Sequence, residues 1–150
     1  MSLPEPLRYS DVKIHHILAT VRTIALVGAS ANSARPSHEV MHFLQGRGYR
    51  VIPVNPGLAG QELLGETVQA SLSAIAQPID MVDVFRDSSA APGIVDEAIA
   101  IGAKVVWMQL GVRHDAAAAK AEAAGIEVIM DRCPKIEIGR LGLAAGGHLA

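Results

Sequence analysis

The side chains best suited to bind a ligand follow directly after short apolar runs. The first three runs are followed by Gly28-Ala29-Ser30, Asn55-Pro56 and Phe85-Arg86, and the later two by Gln109-Leu110-Gly111 and Arg132-Cys133-Pro134. If these runs are parallel strands of one sheet, their carboxyl ends meet at one edge, where open α/β folds bind ligands. The sequence therefore predicts a single binding edge assembled from all five segments.

The segment from Gly28 to Ser37 is suited to an anion. Gly28 permits a tight turn and a close approach by a ligand. Pro36 and Ser37 open a helix whose first N–H groups carry partial positive charge, and Arg35 adds a forked donor beside them. The segment therefore predicts a phosphate site; the alternative interpretation is a tight turn with a surface arginine.

The same segment lacks the dinucleotide fingerprint GxGxxG. Gly28 is present, but Ser30 and Ser33 occupy the other two glycine positions. The second run ends in Val54-Asn55-Pro56, where NAD-binding folds place a carboxylate for the ribose hydroxyls. A phosphorylated ribose is tolerated there because no carboxylate repels it. The pattern therefore favours CoA or NADP over NAD.

The elements that must position these residues follow a repeated order of helix, glycine and strand. Gly48, Gly102 and Gly125 each end a helix-like stretch, and a β-branched run follows at once. This order is typical of a parallel sheet, and we predict a Rossmann-like three-layer α/β/α fold with about five mainly parallel strands. Strands are predicted over residues 23–27, 50–54, 81–85, 104–109 and 126–130, with a short one over 66–68 and helices over 10–21, from 36, from 87 or 88 and over 116–124.

Length and composition bound the class of protein. The 150 residues predict one domain, with a core over about 23–137, an N-terminal helix over about 10–21 and a fraying tail over about 139–150. A net charge of −2 and 3% aromatic residues argue against nucleic-acid binding. Cys133 stands alone, so no intrachain disulfide is expected. With no signal-like N-terminus and no membrane-spanning run, a soluble cytoplasmic protein is expected.

Several of these segments together resemble the CoA-binding domain family, which is similar to the N-terminal nucleotide-binding domain of the succinyl-CoA synthetase α subunit. The resemblance extends over about residues 23–137, and its motifs include Val27-Gly28-Ala29-Ser30, Arg35-Pro36-Ser37, Pro53-Val54-Asn55-Pro56 and Asp131-Arg132-Cys133-Pro134-Lys135. It implies that CoA or acyl-CoA is held across the top of the sheet. The residues expected to bind it are Gly28, Ala29, Ser30, Arg35, Pro36, Ser37, Pro53, Val54, Asn55, Pro56, Val84, Phe85, Arg86, Gln109 and Gly111.

Five other polar residues have competing interpretations. Cys133 could meet the CoA thiol or form a mixed disulfide with it, but the burial habit of cysteine favours a packed side chain. Asp83 lies inside a strand, where it could sit in the pocket or cap a neighbouring loop. A buried carboxylate needs partners, so hydrogen bonds are expected and no catalytic role is predicted. Arg86 could reach a phosphate or pair with Asp87. His38 and His42 share a helix face without further ligands in pattern, so no metal site is predicted.

The sequence contains no recognisable catalytic set, so we predict a CoA or acyl-CoA binding protein that is not catalytic on its own. A carrier, sensor or regulatory role is expected, with a homodimer or an unidentified protein as partner. One alternative is an NADP-type oxidoreductase or an acyl-CoA-processing enzyme that uses Cys133 or His114. The synthetases' phosphorylated histidine belongs to a further domain, so the resemblance assigns no catalytic role to His114. A second alternative is a protein-interaction module with an empty nucleotide groove.

Overall fold

The order of elements follows the predicted alternation of helices and strands. The structure is a computed structural model that describes residues 6–143. The strands are β1 (Thr23–Val27), β2 (Arg50–Val54), β3 (Glu62–Leu63), β4 (Glu66–Thr67), β5 (Met81–Val84), β6 (Val105–Met108) and β7 (Glu127–Ile129). The α-helices are α1 (Asp11–Thr20), α2 (Pro36–Gly46), α3 (Ala91–Ala100), α4 (Asp115–Ala123) and α5 (Pro134–Leu141).

The main sheet has five strands in the order β2-β1-β5-β6-β7, and all of its pairs are parallel. The chain moves outward from β1 to β2 and later returns to place β5 on the other side of β1. The strand order therefore reverses between β1 and β5, the point at which open α/β sheets bind ligands. This arrangement confirms the predicted Rossmann-like fold.

A single bridge extends this sheet beyond β2. Gln69 pairs in parallel with Val54, its N–H donates to the Pro53 carbonyl at 2.9 Å, and its own carbonyl accepts from Asn55 N at 2.9 Å. The predicted strand over 66–68 forms over Glu66–Thr67, but it pairs antiparallel with β3 in a separate hairpin. The short hairpin and the bridge together lie beside β2, where the dinucleotide fold has one more strand.

Two apolar clusters cover the two faces of the sheet. One cluster joins the sheet to α3 and α4, and the other joins it to α1, α2 and α5. Ser10 caps α1 by accepting from Lys13 N at 3.1 Å, and Ile14, Ile17 and Leu18 are buried. No helix within residues 6–143 is long and apolar enough to cross a membrane.

The last helix, α5, was not predicted from the sequence. Proline is well suited to the first turn of a helix, and Pro134 begins α5 in this way. Residues 139–141 form the last turn of α5, and Gly142 ends it with φ of +65°. The expected fraying from residue 139 is therefore wrong for 139–141, and residues 144–150 lie outside the described part.

Candidate functional site

A cleft of about 820 Å³ opens at the carboxyl ends of β1, β2 and β5, where the strand order reverses. The predicted binding residues that line it are Gly28, Ala29, Ser30, Arg35, Pro36, Ser37, Asn55, Pro56, Phe85 and Arg86. Ala31, Asn32, Gly57 and Leu58 also line it and were not predicted. These four residues lie in the same two loops as the predicted ones, and that position in the sequence could have identified them.

A second pocket of about 490 Å³ adjoins the cleft and shares Pro36, Phe85 and Arg86 with it. Gln109 and Cys133 line this second pocket, which we call the thiol pocket. The other four predicted binding residues line neither the cleft nor the thiol pocket. Pro53, Val54 and Val84 are buried inside strands, and Gly111 is exposed with its N–H donating to Asp131 Oδ1 at 2.7 Å.

Gly28 is required by the packing of two strand ends against each other. Its φ is +98°, and a Cβ atom there would lie 2.2 Å from the Phe85 carbonyl oxygen. The sequence predicted a close approach of a ligand to Gly28, and in the structure the backbone of Phe85 makes that approach. The amides of Gly28 and Ala29 both donate to the Val54 carbonyl, at 3.0 and 3.3 Å, so these hydrogens are already engaged.

The N-terminus of α2 provides one backbone donor, the Ser37 N–H, because Pro36 has no N–H and the His38 N–H donates to the Arg35 carbonyl at 3.1 Å. Arg35 is the N-cap residue, but its side chain makes no capping hydrogen bond, and Pro36 follows at the first helical position. Asn32 orders the preceding loop by accepting from Ala34 N at 3.0 Å through its side chain. Among the described residues the Ser37 N–H has no partner, so it can donate to a ligand, and the positive end of the helix dipole favours an anion there.

The charges around the cleft have one sign. Arg35 and Arg86 line it, and neither side chain has an ion-pair or hydrogen-bond partner within residues 6–143. Asp87 bonds instead to Ser89, whose hydroxyl donates to Oδ2 at 2.6 Å. Those hydrogen bonds lower the pKa of Asp87, and the charge of Arg86 adds a smaller effect in the same direction. No aspartate or glutamate of the described chain lines the cleft, so the site attracts anions.

Asn55 joins the β1 and β2 loops. Its Nδ2 donates to the Ala29 carbonyl at 2.8 Å, and its Oδ1 accepts from Gly57 N at 2.8 Å. These two bonds place the Asn55 side chain between the loops that form one wall of the cleft. Sequence reasoning predicted Asn55 as a ligand contact and did not reveal these loop-positioning bonds.

We expect Asn55→Ala to lower the free energy of unfolding by about 1–2 kcal/mol, because both hydrogen bonds of the side chain are lost. Equilibrium urea unfolding measures the change. Gln69→Ala is the matched control, since the half-buried Gln69 side chain has one long contact, at 3.4 Å, and its bridging bonds are all backbone. Equal losses in both variants would contradict the role given to Asn55.

The structure contradicts the expectation that Asp83 would have hydrogen-bond partners. It is 0% exposed, and neither carboxyl oxygen has a hydrogen-bond partner in the described chain. Its strand neighbours in register are Leu26 and Trp107. Burial raises the pKa of Asp83 well above its ordinary value, so the folded protein favours the neutral acid.

Two further polar side chains make hydrogen bonds that support the fold. Trp107 Nε1 donates to the Arg132 carbonyl at 2.9 Å, so this buried indole has the acceptor that its N–H requires. His114 caps α4, with Nδ1 accepting from Ala117 N at 3.0 Å. His38 and His42 belong to α2, and residues 6–143 contain no group of three or more metal-ligating side chains. Cys133 is 6% exposed and is the N-cap residue of α5.

Residues 22–139 match the family model described as the CoA binding domain. The chain belongs to the CoA-binding domain family. This family assignment confirms the resemblance drawn from the strand-end motifs.

Relatives of this CoA-binding domain protein cover nearly its whole length. The uncharacterized protein YneT of Bacillus subtilis is 40% identical over 127 residues, which are 85% of this chain and 93% of YneT. The structure of cell-free ID.343 from Thermus thermophilus is 41% identical with a TM-score of 0.85, covering 89% of this chain and 99% of that one.

A more distant likeness supports the fold of the family member alone. The dinucleotide-forming acetyl-coenzyme A synthetase 1 of Ca. Korarchaeum cryptofilum is 21% identical with a TM-score of 0.65. The match covers 75% of this chain and 26% of the synthetase chain. The shared arrangement is that of the α/β sheet and its flanking helices.

Proposed function

We propose that the protein binds CoA or acyl-CoA in the cleft and acts without catalysis of its own, as a carrier, sensor or regulatory subunit. The observation that carries the proposal is the meeting of Arg35, Arg86 and the open N-terminus of α2 in a cleft that has no carboxylate among its described lining residues. CoA has several phosphate groups, so it suits a site with two arginines and a helix N-terminus. Membership of the CoA-binding domain family supports the same ligand.

The shape of the site supports a long ligand. The phosphates would lie against the loop from Gly28 to Ser37, and the pantetheine arm would pass Phe85 into the thiol pocket. That pocket is largely apolar, with Val40, Val112 and Ile136 in its lining. Three predicted residues would contribute indirectly, because they lie at strand ends that shape the cleft walls: Pro53, Val54 and Val84.

The lining of the cleft also supports a binding role. The side chains around it include arginine, asparagine and serine but neither histidine nor carboxylate, as far as the described chain extends. General acid–base catalysis needs a group that exchanges protons near neutral pH, which the side chains of this cleft do not provide. In the adjoining thiol pocket Glu39 and Lys135 are paired with each other, and the remaining reactive side chain is Cys133. The His114 side chain caps α4 through Nδ1, which argues against the enzymatic role considered for His114.

Thermal unfolding against CoA, dephospho-CoA, acetyl-CoA, NAD and NADP tests the proposal. A ligand at about 100 times its Kd adds about 2.7 kcal/mol to stability, so CoA should raise Tm clearly. Dephospho-CoA should stabilise less, because the arginines lose one phosphate. Stabilisation by NADP alone would replace the proposal with an oxidoreductase, and no response to any nucleotide would favour a protein-interaction module.

We expect Arg35→Ala and Arg86→Ala each to weaken CoA binding by about 10- to 100-fold, because a charge-assisted hydrogen bond contributes about 1.5–3 kcal/mol. Isothermal titration calorimetry measures the affinities. Arg22→Ala is the matched control, since Arg22 is exposed at the opposite end of β1. Unchanged affinity in both cleft variants, or an equal loss in Arg22→Ala, would contradict a phosphate site between the two arginines.

A further inference from the structure

The thiol pocket contains the chain's single cysteine together with an unsatisfied polar group. Cys133 is 6% exposed and lines this pocket at the N-cap of α5, where the helix end favours negative charge. Its side chain makes no capping bond. A reagent must therefore enter the pocket to reach the sulfur.

Gln109 supplies an independent sign of a ligand. It lines the same pocket, it is 5% exposed, and its Oε1 has no hydrogen-bond partner in the described chain. A buried amide oxygen without a donor is unfavourable, so a ligand N–H that reaches it is favoured. The pantetheine arm of CoA has two amide N–H groups between its phosphates and its sulfur.

The connection to the cleft gives the pocket its selectivity. Phe85 and Arg86 belong to both linings, so a ligand held by the arginines can continue into the thiol pocket. Leu110, Val112 and Ile136 make much of the pocket wall apolar, which suits the uncharged arm. Glu39 and Lys135 also line the pocket, and they form an ion pair with each other. A disulfide without a nucleotide part has no phosphate groups for the two arginines to bind.

We propose that Cys133 exchanges with CoA disulfide to form a mixed disulfide between the protein and CoA. This inference rests on the proposed function, because the cleft must first bind the nucleotide part. The Cys133 thiol loses its proton to water, and the resulting thiolate attacks one sulfur of CoA disulfide. The old S–S bond breaks, a new one joins Cys133 Sγ to that sulfur, and the second CoA leaves as a thiolate that takes up a proton. A CoA thiol reverses the step, so the adduct reports the ratio of oxidised to reduced CoA.

Intact-protein mass spectrometry after incubation with CoA disulfide tests the exchange. We expect a mass increase of one CoA less two hydrogens, reversed by dithiothreitol and absent in Cys133→Ser. The serine variant should fold, because serine is a good N-cap residue. The rate should exceed that with glutathione disulfide by about tenfold or more, and Arg35→Ala should slow it about as much as it weakens CoA binding. Arg22→Ala should react like the wild type.

CoA-dependent thermal stabilisation of the Cys133→Ser variant separates the two proposals. If CoA stabilises the wild type and Cys133→Ser alike but CoA disulfide forms no adduct, the exchange is overturned and CoA binding stands. If CoA stabilises neither protein, the binding proposal fails and the exchange fails with it. Equal rates with CoA disulfide and glutathione disulfide would also overturn the exchange, since they indicate an unselective thiol.

Discussion

Gly28→Ala should lower the free energy of unfolding by about 2–6 kcal/mol, the sum of backbone strain and overpacking costs of about 1–3 kcal/mol each. The residue has a φ of +98°, and the added Cβ would lie 2.2 Å from the Phe85 carbonyl oxygen, which belongs to the backbone and cannot rotate away. Relief requires the ends of β1 and β5 to separate. Because the cleft lies at this junction, the variant should also lose CoA binding where it still folds.

A second glycine isolates the effect of the clash. Gly125 has a φ of +85°, but a Cβ there meets nothing within 4 Å. Gly125→Ala should therefore cost only the strain of the left-handed conformation, about 1–2 kcal/mol. Urea unfolding of both variants and CoA titration of both measure the difference. Equal losses of stability, or CoA binding retained by a folded Gly28→Ala protein, would contradict the packing argument.

Asp83→Asn should remove a pH dependence of stability that works against the folded protein near neutral pH. Burial raises the folded-state pKa of Asp83 well above its ordinary value, whereas the unfolded carboxyl titrates near about 3.9. Below that pH both states hold the proton, and the contribution of Asp83 to stability is fully present. As pH rises towards the folded-state pKa, the unfolded state alone gives up its proton, and stability is lost at up to about 1.4 kcal/mol per pH unit.

Urea unfolding between about pH 4 and pH 7 measures this dependence, since that window lies above the unfolded-state pKa. The stability of Asp83→Asn relative to the wild type should increase steadily with pH, because the amide does not titrate. Asp96→Asn is the matched control, since Asp96 lies on α3 in an exposed ion pair with Lys120. This substitution also replaces an aspartate by asparagine but leaves Asp83 unchanged. Parallel pH curves for wild type and Asp83→Asn would show that Asp83 does not carry the effect.

The predictable part of the site came from local patterns. Gly48, Gly102 and Gly125 precede β-branched runs, and each run is a strand of the parallel sheet. Once strands are parallel, the segments after them must share an edge, which is why the residues around Arg35 and Arg86 were expected together. Glycine caps and strand periodicity depend on neighbours in the chain, so a single sequence is sufficient to find them.

The unpredicted part depends on contacts between residues far apart in the chain. Nothing near Gly28 indicates that the Phe85 carbonyl occupies the space of a Cβ, and nothing near Asp83 indicates that burial leaves it without a partner in the described chain. Asn55 likewise has its partner Ala29 in another loop. These features appear only when the strand order is known, because that order decides which strand ends are neighbours.

By itself, the sequence determined the class of fold, the edge of the sheet expected to bind and the family, since each follows from local patterns repeated along the chain. The tertiary structure decided that β1 lies between β2 and β5. That placement brings Arg35 and Arg86 to one cleft and joins the cleft to the pocket of Cys133 and Gln109. The physical reason is that strand pairing is a long-range choice, made by the packing of both sheet faces together and not by any one segment.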